Sequence, residues 1–167
     1  MTTTNNTAQI GTVSHGTTRP QDLIPCFLTD LEILSQESYF AMIRSMHARD
    51  RGVAYALAGK RYIGDDHPFW TEELCYEILS DLFDALSELA PSYCYFGSHP
   101  GDGSDYGFWP CFEAIDDACQ DDMAKVGDLS ELPDCYRGEV CIVNDRGNMT
   151  IGFVDDSGSF VESWAIV

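Results

Sequence analysis

The residues best equipped for chemistry gather around one expected hairpin. Cys94, His99 and Cys111 are close in sequence there, and a thiol beside an imidazole is a nucleophilic pair. A small hydrolase built on Cys94 and His99 is therefore one reading. Against it, no G-x-S-x-G elbow occurs anywhere, and strand cysteines mostly serve as small core hydrophobes. Zinc is no better served. No Cys-x-x-Cys pair is present, and Cys111 and Cys119 have the wrong spacing for the deaminase signature. The loop from Asp102 to Gly107 looks calcium-like but fails the EF-hand register, because Tyr106 stands where an oxygen ligand is required. A Gly-rich turn whose aspartates bond their own backbone accounts for it. With no phosphate-binding or dinucleotide fingerprint either, the expectation is a non-enzymatic protein with no cofactor and no metal.

The charge pattern points elsewhere. From Asp65 to Asp122 there are fifteen carboxylates and not one Lys or Arg. The net charge is −19. Residues 1–64 hold six bases and five acids, whereas 65–167 hold three bases and twenty-three acids, so the field belongs to the second part. Such a field repels nucleic acid and anionic lipid, and it fits a basic partner. Three places present it. Glu73, Glu77, Asp81, Asp84 and Glu88 recur at helical spacing within 71–91, Asp102 and Asp105 lie in the hairpin turn, and Glu113, Asp116, Asp117, Asp121 and Asp122 lie in 110–123. These twelve are the candidate partner-binding residues. Duplex DNA carries one charge per ~1.7 Å, so fifteen carboxylates correspond to about 25 Å of duplex, close to the ~27 Å of an 18-residue helix. Solubility alone is the ordinary explanation of surface acids, but ordinary surfaces mix signs.

The elements that must carry these groups follow from periodicity. Residues 1–17 show no period and read as a flexible lead-in; 18–167 read as one domain. A helix over 19–35 should start near Asp22, and a second covers 36–50. The stretch 52–64 fits a strand or a short helix equally. Thr71 is a plausible cap for the acidic helix, whose apolar stripe includes Leu74, Cys75, Ile78, Leu82 and Leu86, and Pro91 closes it. Residues 92–99 and 106–109 form a hairpin around a wide turn, 110–123 a short helix, and 139–144, 149–155 and 160–167 a three-strand meander. Hairpin and meander together make an antiparallel sheet covered by about four helices, an α+β fold. The aromatics Tyr93, Tyr95, Phe96, Tyr106, Phe108 and Trp109 suit core packing or a partner-binding hairpin, the latter making an adaptor acting through 93–109. Arg44, Arg49, Arg51, Lys60 and Arg61 are expected to form local pairs with the acidic half. Seven cysteines, an odd number spread through apolar segments, read as reduced thiols. The N-terminus lacks a basic, apolar leader and nothing is long and apolar enough to span a membrane, so a cytoplasmic protein is expected.

The run LFDALSELAPSYCYFGSHPGDGSDYGFWP (82–110), with GTTRPQDLIPCFLTDLE (16–32), resembles small acidic proteins of unknown function carried by phages and plasmids. That resemblance supplies no catalytic residues. It implies a mobile-element setting, in which small acidic inhibitors of host restriction or CRISPR complexes are common. The expected partner is thus a basic nucleic-acid-binding protein or complex of the host, blocked by a surface that imitates nucleic-acid charge.

Overall fold

A computed structural model of the chain describes residues 7–166 and shows an α+β fold, with five α-helices and two sheets among them. The chain divides into two compact units. One comprises the residues up to 90 together with 96–109, and the other comprises 91–95 with the residues from 110 onward.

The first unit holds β1 (Gly11–His15), α1 (Pro20–Leu34), α2 (Gln36–Arg49), α3 (Arg51–Ala58), a 3-10 turn (Pro68–Thr71) and α4 (Glu73–Ser87). It also holds most of the hairpin β2 (Cys94–His99) and β3 (Asp102–Pro110). Helix α1 begins at Pro20, two residues before the expected Asp22, because a proline at the first helical position forfeits no hydrogen bond. The ambiguous 52–64 stretch resolves as α3. Its Val53, Ala54 and Leu57 share one buried face, and the Asp50 side chain accepts from Val53 N at 3.0 Å. Helix α4 is capped at Glu72 rather than Thr71, whose hydroxyl instead donates to Pro68 O inside the preceding turn.

Residues 11–15 are a strand, which corrects the reading of 1–17 as flexible lead-in over that part; residues 1–6 lie outside the described residues. Strand β1 pairs with β3, giving the order β1-β3-β2. A β-carbon on Gly107 would overlap the Gly11 carbonyl, so glycine is what lets these strands close. Strand β3 begins at Asp102, and only Pro100 and Gly101 separate it from β2, so the expected wide turn is a tight one. A continuous core joins α1, α2, α3 and α4 to the hairpin, centred on Phe27, Leu31, Phe69, Ile78, Leu82, Phe96 and Phe108. Fully burying each such side chain contributes about 1.5–3 kcal/mol.

The second unit contains α5 (Phe112–Asp121) and a four-stranded sheet of β4 (Ala124–Val126), β5 (Gly138–Val143), β6 (Met149–Val154) and β7 (Phe160–Ile166), in that order. The meander β5-β6-β7 is antiparallel as expected, and β4 joins it in parallel. Hairpin and meander therefore belong to two sheets, not one. Ile115, Met123, Val140, Cys141, Ile151 and Trp164 are buried in this unit, and the Trp164 indole donates to Ser92 O at 2.8 Å. No helix among the described residues is long and apolar enough to cross a membrane.

Candidate partner-binding surface

Helix α4 carries the first acidic group. Cys75, Ile78, Leu82 and Leu86 dock it on the core of the first unit, which turns Glu73, Glu77 and Asp84 outward, with Glu88 as the exposed C-cap and Asp81 half-exposed. The stripe is not free of bases in space. Arg49, the last residue of α2, donates to Asp81 Oδ2 at 2.9 Å and stands 3.9 Å from Glu77 Oε2. Glu73, Asp84 and Glu88 have no ion-pair partner among the described residues.

The hairpin aspartates are engaged locally. Asp102 Oδ1 accepts from Ser104 N at 2.9 Å and Ser104 Oγ at 2.8 Å, and its other oxygen lies 3.4 Å from His15 Nε2. The Ser104 bonds, backbone first, hold its carboxyl below the usual range. Asp105 accepts from Thr12 Oγ1 at 3.2 Å, across the β1–β3 pairing. Both carboxylates thus build the turn and the sheet before any partner arrives.

In the second unit, α5 buries Ile115 and exposes Glu113, Asp116, Asp117 and Asp121, with Asp122 as the exposed C-cap. Lys125 Nζ lies 3.4 Å from Asp116 Oδ1. Glu113, Asp117 and Asp121 follow at i, i+4 spacing and have no ion-pair partner among the described residues. Neither α4 nor α5 has a base in its last turn. Asp84 and Glu88 on one helix, and Asp121 and Asp122 on the other, therefore crowd the negative end of the helix dipole, where a carboxylate is unfavourable by about 0.3–1 kcal/mol.

The chemical alternatives fare differently. Cys94 and His99 are the two ends of one strand, so an odd separation of five places them on opposite faces about 16 Å apart. Burial, and secondarily Cys111, pushes the Cys94 thiol up to about 12, away from the thiolate form. His99 is exposed, and its Nδ1 accepts from Gly101 N at 3.0 Å. All seven cysteines are free, and no cluster of three or more metal-ligating side chains occurs among the described residues. The hairpin aromatics are largely core. Phe96 and Phe108 are buried, with ring centroids 4.9 Å between Phe27 and Phe96 and 5.0 Å between Phe96 and Phe108, while the Trp109 indole donates to Gly97 O at 3.0 Å.

Local pairing of the bases holds for Arg49, and Lys60 pairs with Glu32 at 3.0 Å, an acid of the first 64 residues. Arg19 Nη2 donates to Asp65 Oδ2 at 3.1 Å. A bond from the Tyr62 hydroxyl and then that from Arg19 hold the Asp65 carboxyl below its ordinary range. Sequence reasoning missed the place of Arg49 within the α4 surface, since 32 residues separate it from Asp81 and helical spacing links only near neighbours. Comparison with protein-family models, curated proteins and solved structures finds no match to this chain.

Proposed function

We propose that this protein is a non-enzymatic inhibitor carried by a mobile element and acting in the host cytoplasm. It presents carboxylates in the place of phosphates and occupies the Lys/Arg surface of a host nucleic-acid-binding complex of the CRISPR or restriction type. The observation that carries this is the placing of unpaired acids at the C-terminal ends of both acidic helices: Asp84 and Glu88 on α4, Asp121 and Asp122 on α5. Helix electrostatics and mutual repulsion both oppose those positions, so folding alone does not account for them. A charge field that steers a basic partner does. Glu73, Glu113 and Asp117 extend the two patches, while Glu77, Asp81, Asp102 and Asp105 have structural partners and contribute less.

The test is a four-site reversal, Asp84→Lys, Glu88→Lys, Asp117→Lys and Asp121→Lys, in the full chain. Host nucleic-acid-binding proteins should be retained from lysate by the parent protein at low salt, be released by added duplex DNA, and fail to bind the variant. Retention by the variant equal to the parent's would overturn the reading. So would retention that neither salt nor DNA reduces.

A further inference from the structure

Five of the chain's nine Lys and Arg residues fall between residues 38 and 64, where Asp50 is the only acid. Part of that charge is used within the fold. Arg49 pairs with Asp81, Lys60 pairs with Glu32, and the Asp50 carboxylate caps α3. Arg44 on α2 and Arg51 on α3 are exposed and have neither an ion-pair nor a hydrogen-bond partner among the described residues. Arg44 borders a surface dimple of about 260 Å³, whose other walls are Ile43, His47, Ala54, Tyr55 and Ala58. No carboxylate lines it. Arg51 stands one turn before Tyr55 on α3, so the two guanidiniums flank the dimple from the two helices.

The aromatic groups around the dimple are as open as the cations. Tyr55 is 68% exposed, and Phe40, one turn before Arg44, is 53% exposed. The His47 ring meets that of Tyr55 edge-on at 5.2 Å, which holds this wall of the dimple in place. Exposed Tyr and Arg about an apolar depression have the composition of a binding hot spot rather than of a solvating face. Nothing close by neutralises the charge of Arg44. Arg49, which faces the α4 carboxylates, is five residues on and so about 140° around the helix from it. Glu37, on the same side of α2 as Arg44, is two turns away, about 10 Å or one Debye length at 0.1 M salt.

We propose that this face of α2 and α3 docks an acidic segment of a partner protein. One large apolar side chain of the segment fills the dimple, and carboxylates on either side of it pair with Arg44 and Arg51. The dimple is smaller than the range for small-molecule sites and suits a single side chain. Nucleic acid fits less well: two guanidiniums engage only two phosphates, and the net charge of −19 repels the rest of the strand. A short acidic segment needs only the few carboxylates that lie within a Debye length of the patch. The face uses none of the acidic residues of the inhibitor reading and stands whether or not that reading does.

The probe is the blocked peptide Glu-Glu-Phe-Glu-Glu, titrated into the full-length protein and read by amide NMR shifts. It should give saturable shifts confined to 40–58, with a dissociation constant in the millimolar range or tighter. The counterpart Glu-Glu-Ala-Glu-Glu should bind about tenfold more weakly, since it lacks the apolar anchor. The double variant Arg44→Gln, Arg51→Gln changes only exposed side chains and should remain folded. It should weaken the Phe peptide by about fivefold or more, and added salt should weaken the parent complex likewise. The proposal is overturned by the absence of saturable shifts at 40–58, by equal affinity for the two peptides, or by undiminished binding to the arginine variant. It is also overturned if a short oligodeoxythymidine shifts the same amides at least as tightly, which would make the face a nucleic-acid site. Shifts of those amides with protein concentration alone would make a second copy of the chain the occupant and overturn it too.

Discussion

Helices α4 and α5 carry the same number of acidic candidates but use them differently. On α4 five carboxylates share one face with Arg49, and α5 with its cap exposes five, of which Asp116 is paired with Lys125, so each group is left with four net negative charges. Helix α4 is fifteen residues long and α5 ten, which puts one net charge per about 5.6 Å on the first and about 4 Å on the second. The buried sides differ in the opposite sense. Four buried side chains anchor α4, but only Ile115 is fully buried on α5. Helix α4 is a core element whose acids partly serve the fold, through Arg49. The acids of α5 contribute little to folding, and they form the denser field.

The largest effect that would sharpen this contrast is in the core. Leu82→Ala should cost about 2–5 kcal/mol in urea unfolding, because Leu82 is fully buried. A loss below about 1 kcal/mol would contradict the role given to α4.

Charge reversals come next. Glu77→Lys with Asp81→Lys removes both partners of Arg49 and sets cations beside it, and should destabilise by about 1 kcal/mol. Asp117→Lys with Asp121→Lys should instead stabilise by about 0.5–1 kcal/mol, since it relieves repulsion and complements the dipole of α5. Equal signs for the two pairs would break the comparison.

Both units should weaken in alkali, by a similar route. Burial pushes the thiols of Cys75 on α4 and Cys141 in the second unit up to about 11, and a bond to the Glu139 carboxylate pushes the Tyr93 hydroxyl up to about 12. For each, the folded state favours the protonated form. Its contribution is therefore complete below the ordinary thiol or phenol pKa and is lost as pH rises toward 11–12. The urea midpoint should fall steadily above about pH 8.5. Cys75→Ala and Cys141→Ala should each flatten that slope, and an unchanged slope in either variant would remove that thiol from the account.

The smallest effect is that of salt. Raising NaCl from low to about 0.5 M should lift the melting temperature by about 1–2 °C through screening, and by less in the Asp117→Lys, Asp121→Lys protein.

What was legible in the sequence follows from the range of the interactions. Helices α1 and α2, α4 with its acidic and apolar faces, α5 and the strands β5, β6 and β7 all show their period locally, and each forms close to its expected span. Strand β1 was not legible, because GTVSH has no alternating apolar pattern and its strand character comes from pairing with β3 some ninety residues away. Strand β4 is three residues long and exists by pairing with β5. The division of hairpin and meander between two sheets depends on the same long-range pairing. For the candidate surface, the positions of the acids on α4 and α5 were readable from spacing alone. The partners that neutralise some of them were not: Arg49 for Asp81, and Ser104 and Thr12 for the hairpin aspartates.

The most direct test of the central claim is retention of host nucleic-acid-binding proteins on the immobilised full chain, with duplex DNA as competitor, comparing the parent with the Asp84, Glu88, Asp117 and Asp121 lysine variant. The account predicts retention by the parent, release by DNA and by salt, and no retention by a variant that remains folded. Undiminished retention by that folded variant would contradict it.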